Sequence, residues 1–207
     1  MLRRSSRSGS SVRNIQKTLI VNVGHPRSVE TIMFIPRNLG ECFHSACTQQ
    51  ADQGLEMGGI LAGKFDELEQ SYQVTHLVIP HQKATPVCWR VEDERQLNNF
   101  FITHPDLLLL GFVHSQPEKG PLTSFDLHSL WTYAKVNPAL VSVVYSPGDR
   151  TCETFSLTKL AMKELAACKK TGLHQHPNAA SKLCMDAPHV VGDETCDIIL
   201  IDYRLSE

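Results

Sequence analysis

A seven-residue apolar run, Leu107 to Val113 (LLLLGFV), constrains this chain more than any other stretch. It is too short for a membrane span and does not alternate, which is the pattern of a strand buried on both faces. His114 stands where that strand ends. A short loop with two prolines and a glycine follows, and Thr123-Ser124-Phe125-Asp126 then reads as a helix start. A strand end, a loop and a helix N-terminus therefore bring His114, Gln116, Thr123 and Asp126 towards one place. Imidazole and carboxylate meeting at the end of a buried strand is a usual way to hold zinc with one position open.

The rest of the chain reads as one domain with a tail. Its 207 residues are enough for a sizeable core. A net charge of -2 gives no general electrostatic case for nucleic acid or an anionic membrane surface. No apolar run approaches 18 residues, so no transmembrane segment is expected. Seven cysteines, an odd count without repeated spacing, argue for free thiols in a reducing compartment and a metal ligand among them. Residues 1–27 hold arginines, a lysine and many serines but no acid, which reads as a basic flexible tail or as an organelle transit peptide.

Along the domain the pattern predicts strands over Thr31–Ile35, Glu56–Ala62, Tyr72–Ile79, Leu107–Val113, Leu140–Tyr145, Cys152–Leu157 and Thr195–Arg204. Helices are expected over Gly40–Gln53, with Gly54 ending it, then Val91–Thr103, Ser124–Asn137 and Thr158–Lys169. Strands and helices interleave without a strict βαβ rhythm. The fold class is therefore α/β in the broad sense (α+β), built on a mixed sheet.

The stretch from His114 to Asp126 resembles the signature of the JAMM, or MPN-plus, metalloisopeptidases: His-Ser/Thr-His-Pro, a spacer, Ser, two residues and Asp. Glu56 in LEMGGILAG sits where the family has its upstream glutamate. Within the family the sequence is most similar to the AMSH-type deubiquitinases, from about Ser28 to the C-terminus. The resemblance implies an MPN/JAMM (cytidine-deaminase-like) domain over 28–207, a mixed, curved β-sheet flanked by helices. It implies a catalytic zinc held by His114 and Asp126, with Glu56 as general base and Thr123 as hydroxyl donor. Gln116 takes the place of the family's second histidine, and the loop from Gln116 to Asp126 is one residue shorter. A neutral amide is a weaker zinc ligand than imidazole, so the catalytic site is expected to be weakened or empty.

A second constellation lies downstream. Asp126 and His128 are two apart at a helix start, so their side chains point about 200° apart and do not serve one ion. Cys168, His174 and His176 form a C-x5-H-x-H run, a thiolate at a helix end followed by two imidazoles after Gly172. With His128 they make a closed four-coordinate set of the structural zinc type. In AMSH-type enzymes, which this set resembles residue for residue, that zinc pins an inserted loop, here around 168–190. Cys184 and His189 lie close enough in sequence to be spare ligands, while Cys42, Cys47, Phe100, Phe101 and Trp131 are simplest as packing.

Two functions follow. The first is a zinc isopeptidase acting on polyubiquitin of the lysine-sixty-three type, with endosomal sorting proteins as partners and a cytoplasmic, endosome-associated location by resemblance. The second is a non-catalytic MPN pseudoenzyme that keeps the fold and the second zinc and binds ubiquitin or scaffolds a partner.

Overall fold

The computed structural model describes residues 31–116 and 121–205, so the basic segment 1–27 and the loop 117–120 lie outside the described residues. In chain order the elements are β1 (Met33–Pro36), α1 (Leu39–Asp52), β2 (Gly58–Asp66), β3 (Ser71–Ile79), β4 (Gln82–Thr85), β5 (Cys88–Val91) and α2 (Glu94–Thr103). There follow β6 (Leu108–Ser115), α3 (Ser124–Ala134), β7 (Val141–Ser146), β8 (Thr151–Leu157), α4 (Lys159–Ala167) and the single turn α5 (Ala180–Leu183). The chain closes with β9 (Cys184–Asp186), β10 (Val190–Asp193), β11 (Ile199–Asp202) and a 3₁₀ turn over Tyr203–Leu205.

Nine of these strands form one curled sheet in the order β10-β1-β3-β2-β6-β7-β8-β9, with β11 pairing β3 beyond the end of β1. The sheet is mixed. β2 runs antiparallel to β3 and β6, whereas β6 and β7 are parallel. This is the mixed, helix-flanked sheet that the sequence pattern predicts. β4 and β5 form a separate hairpin.

The apolar run becomes β6, in the middle of the sheet, and it is apolar throughout because both faces are covered. Leu110 and Val113 pack with Phe43, Cys47, Met57 and Tyr145 on the α1 side. Leu107, Leu109 and the half-buried Phe112 pack with Leu97, Phe100, Phe101 and Leu130 on the side of α2 and α3. A bulge against β2 at Leu61/Ala62 shifts the register, so Phe112 and Leu109 share a side although they are three apart. Alternation from Phe112 then puts His114 on the α3 side. A third cluster joins α3 to α4 through Leu122, Leu127, Val144, Ala161 and Leu165. Among the described residues no helix is long and apolar enough to cross a membrane.

Three boundaries differ from expectation. The helix expected from Val91 starts at Glu94, because Asp93 caps it by accepting from the Arg95 N–H and because Cys88–Val91 is drawn into the hairpin. The closing strand pairs only over Ile199–Asp202: Asp193 accepts from the Thr195 N–H and hydroxyl, and Arg204 turns back onto Asp202. Short strands β9 and β10 form downstream of the second constellation, where the sequence shows no strand periodicity. Gly54 follows α1 at φ +68, with its N–H on Ala51 O, a conformation that costs glycine little.

Candidate active site and metal-binding group

The first site is built where β2 and β6 run side by side. Gly58 of β2 pairs with His114 of β6, so Glu56, just ahead of β2, lies beside the end of β6. Ser115 fixes the two chains together: its N–H donates to Met57 O at 2.7 Å, and its hydroxyl accepts from the Met57 N–H at 2.8 Å. The hairpin locks Glu56 from the other direction. The Glu56 N–H donates to Thr85 O, and the Gln82 amide bonds both the N–H and the carbonyl of Gly58, each at 2.8 Å. The guanidinium of Arg90, on β5, lies 5.2 Å over the Phe125 ring at the start of α3. The hairpin thus spans the site from the Glu56 side to the Asp126 side.

Asp126 is placed by helix capping. Thr123 is the N-cap of α3, and its N–H and hydroxyl both donate to Asp126 Oδ2 at 2.7 Å, closing a capping box. This leaves Asp126 Oδ1 facing His114, whose Nε2 lies 3.7 Å away. Glu56 and His114 are each 1% exposed, and Glu56 Oε2 and His114 Nε2 have no hydrogen-bond partner among the described residues. Burial, and then the neighbouring Asp126 carboxylate, push the Glu56 carboxyl up to about 8. Gln116 is buried too. Its N–H donates to Tyr145 O at 2.9 Å, while its side-chain Oε1 is without a partner.

The structure therefore brings Glu56, His114, Thr123 and Asp126 to one corner, with Gln116 two residues beyond His114 at the strand end. The Thr123 hydroxyl directs its proton to Asp126. The ionisable groups at the corner comprise the His114 imidazole, the Asp126 carboxylate with Oδ1 towards it, and the Glu56 carboxyl. Catalytic zinc is ordinarily held by three protein ligands drawn from imidazole, carboxylate and thiolate. Among the described residues His114, Asp126 and Glu56 do not form a group of three donor atoms close enough together to hold an ion.

The second group is complete. Ligand atoms of His128, Cys168, His174 and His176 all lie within 4.8 Å of one another. A tetrahedral zinc with N and S ligands spaces them about 3.4–3.8 Å apart, and the Cys168 Sγ to His174 Nε2 distance is already 3.4 Å. The imidazoles of His128 and His176 are held below their ordinary range by burial first and by neighbouring histidines next. They are thus neutral at neutral pH, the form that ligates. Among the described residues, His128 Nε2 and both ring nitrogens of His176 are buried without a hydrogen-bond partner. Three imidazoles and a thiol converging in this way fit a metal ion.

The groups around this set were less visible in the sequence. Glu164 lies one turn before Cys168 on α4, with Oε1 3.7 Å from His176 Nδ1, and it accepts from the N–H and side-chain amide of Asn178. A carboxylate four residues ahead of a thiol ligand on one helix is the signal that would have found it. Ser124, Ser115 and Gln82 carried no comparable signal. Cys184 and His189 stay apart from the group. The Cys184 thiol donates to Ala180 O, and His189 is buried with Nε2 on Ala139 O. Asp126 and His128 serve different corners, as their helical spacing requires.

No family-level sequence model matches the chain. Individual relatives do. The AMSH-like protease of Homo sapiens is 33% identical over 171 residues, covering 82% of this chain and 38% of that protein. STAM-binding protein-like A of Danio rerio is 29% identical over 196 residues, 93% of this chain and 46% of that protein. AMSH-like protease sst2 of Schizosaccharomyces pombe is 30% identical over 176 residues, 84% of this chain and 40% of that protein. The chain spans less than half the length of these relatives. With the mixed, curled sheet and the corner at the end of β6, these similarities show that the chain belongs to the AMSH type of the JAMM family of deubiquitinases.

Proposed function

We propose that this chain is an AMSH-type ubiquitin-handling domain that holds one structural zinc at His128, Cys168, His174 and His176, engages polyubiquitin of the lysine-sixty-three type, and does not hydrolyse it. The observation that carries the reading is the donor set at the first corner. His114 Nε2 and Asp126 Oδ1 face one another at 3.7 Å, Asp126 Oδ2 is committed to the Thr123 cap, and the third ligand place falls to Gln116.

At a complete site of this kind, zinc polarises the scissile carbonyl and brings the pKa of bound water near 7. The residues present do not fit that role. What the chain's own groups do follows from their environments. Burial, and then the neighbouring Asp126 carboxylate, raise the Glu56 carboxyl to about 8, towards the range where a carboxyl exchanges its proton near neutral pH. Thr123 donates a hydrogen bond from its hydroxyl to Asp126 Oδ2 and holds that carboxylate in place.

Names among the relatives, "AMSH-like protease" and "AMSH-like ubiquitin thioesterase 2" of Arabidopsis thaliana, support ubiquitin as the partner. An endosomal setting with sorting adaptors rests on the "STAM-binding protein" relatives and on the resemblance. A second reading is a slow isopeptidase, favoured by the retention of Glu56, His114 and Asp126 together in one buried corner. The test is a paired assay on lysine-sixty-three-linked diubiquitin. The account expects binding without turnover in the natural chain and measurable turnover in Gln116→His. Turnover by the natural chain that is abolished in Glu56→Gln establishes the second reading. Absence of binding to any diubiquitin contradicts both.

A further inference from the structure

Ser124 belongs to neither site, yet it follows Thr123 of the first in the chain and bonds His174 of the second. It is the first residue of α3, 5% exposed, between the cap Thr123 and the carboxylate Asp126. Its hydroxyl accepts from the His174 N–H at 3.0 Å and donates to Gly172 O at 3.4 Å. The same Gly172 carbonyl accepts from His174 Nδ1 at 2.8 Å, so in the tautomer that makes this bond the Nε2 lone pair faces Cys168 Sγ. Gly172 sits at φ +74, so the turn that presents this carbonyl is one that glycine tolerates.

We propose that Ser124 is a positioning residue coupling metal occupancy of the His128–Cys168–His174–His176 set to the geometry of the Thr123–Asp126 corner. The inference rests on the reading that this set holds zinc. His174 is bound on one side through its imidazole and on the other through its backbone to Ser124. His128 sits one turn further along α3, so a metal in the set grips the first turn of that helix at two points. The Asp126 carboxylate is held by the Thr123 N–H and hydroxyl in that same turn. Without metal the imidazoles lose their shared partner, the segment from Cys168 to His176 keeps fewer restraints, and the hydroxyl of Ser124 loses a fixed donor and acceptor. The first turn of α3, and with it the capping box that aims Asp126 Oδ1 at His114, then opens more often.

The experiment is amide hydrogen exchange on the whole chain, zinc-loaded and after zinc removal by a chelator, read at Asp126 and Leu127 with Leu77 of β3 as control. In the natural chain, zinc removal speeds exchange at Asp126 and Leu127 by about tenfold, with little change at Leu77. In Ser124→Ala, chelator competition still shows zinc uptake, but the zinc dependence at these two amides shrinks to about twofold. Ser124→Thr, which keeps the hydroxyl, restores it. Full zinc dependence in Ser124→Ala overturns the coupling. If Ser124→Ala does not fold, the natural chain decides, and exchange at Asp126 that ignores zinc overturns the proposal. A chain that takes up no zinc at this set overturns the metal reading and the coupling together, whereas zinc uptake without a change at Asp126 overturns the coupling alone.

Discussion

Trp89 lies flat against Gly58: a Cβ built on that glycine would come within 1.8 Å of the indole. The contact joins the β4–β5 hairpin to β2 two residues after Glu56, and it works only because residue 58 has no side chain. Gly58→Ala must push the indole off β2 and break the Gln82 bonds to the Gly58 backbone. Overpacking of this kind costs about 1–3 kcal/mol. Denaturant unfolding should show that loss, with a rise in Trp89 solvent exposure by fluorescence quenching. An unchanged midpoint and unchanged quenching would mean that the hairpin is not seated on Gly58.

The buried Glu56 carboxyl sets a pH dependence. Its ordinary value of 4.5 is raised to about 8 in the folded chain, by burial first and Asp126 second. The folded state therefore binds this proton more tightly than the unfolded state does. Stability from this group is fully present below about 4.5 and is lost as pH rises through 8. Zinc-free protein should show a thermal midpoint that falls between pH 6 and 9, and Glu56→Gln should flatten that slope and melt higher at pH 8. A steeper slope in the variant would contradict the placement of Glu56.

Cys168 is the cysteine that stands with His128, His174 and His176 in the metal-binding group. Burial raises the thiols of Cys42, Cys47, Cys152, Cys184 and Cys196, those of Cys47, Cys152 and Cys196 to about 11. Their thiolate fractions at pH 7.5 are correspondingly small. Cys168 is half-buried at the C-terminal end of α4, beside the imidazoles. Iodoacetamide should modify Cys168 first in zinc-free protein, and zinc should suppress that modification several-fold. Equal labelling with and without zinc would remove Cys168 from the metal set.

The sequence made the centre of the fold legible because the physics there is local. An apolar run of strand length, a Thr-x-x-Asp helix start, and thiol and imidazoles at short spacing each report on neighbouring residues. The helical angle between Asp126 and His128 separated the two groups before any coordinates. The hairpin over Cys88–Val91 was not legible, since its strands are short and partly exposed, and what holds it is the distant Gly58 backbone. The same holds for Ser124, whose significance lies in a contact with His174, 50 residues on. Long-range pairing leaves no periodicity to read. Resemblance supplied the role of Glu56, which local pattern alone would have left as the edge of a strand.

We propose that the His128–Cys168–His174–His176 group takes up zinc and that the His114–Asp126 corner, with Gln116 in the place of the family's second histidine, does not. Zinc per chain, measured by elemental analysis on protein purified without added metal, tests it most directly. The account predicts one zinc in the natural chain, none in Cys168→Ser, and two in Gln116→His. Two zinc ions in the natural chain, or one that survives Cys168→Ser, would contradict it.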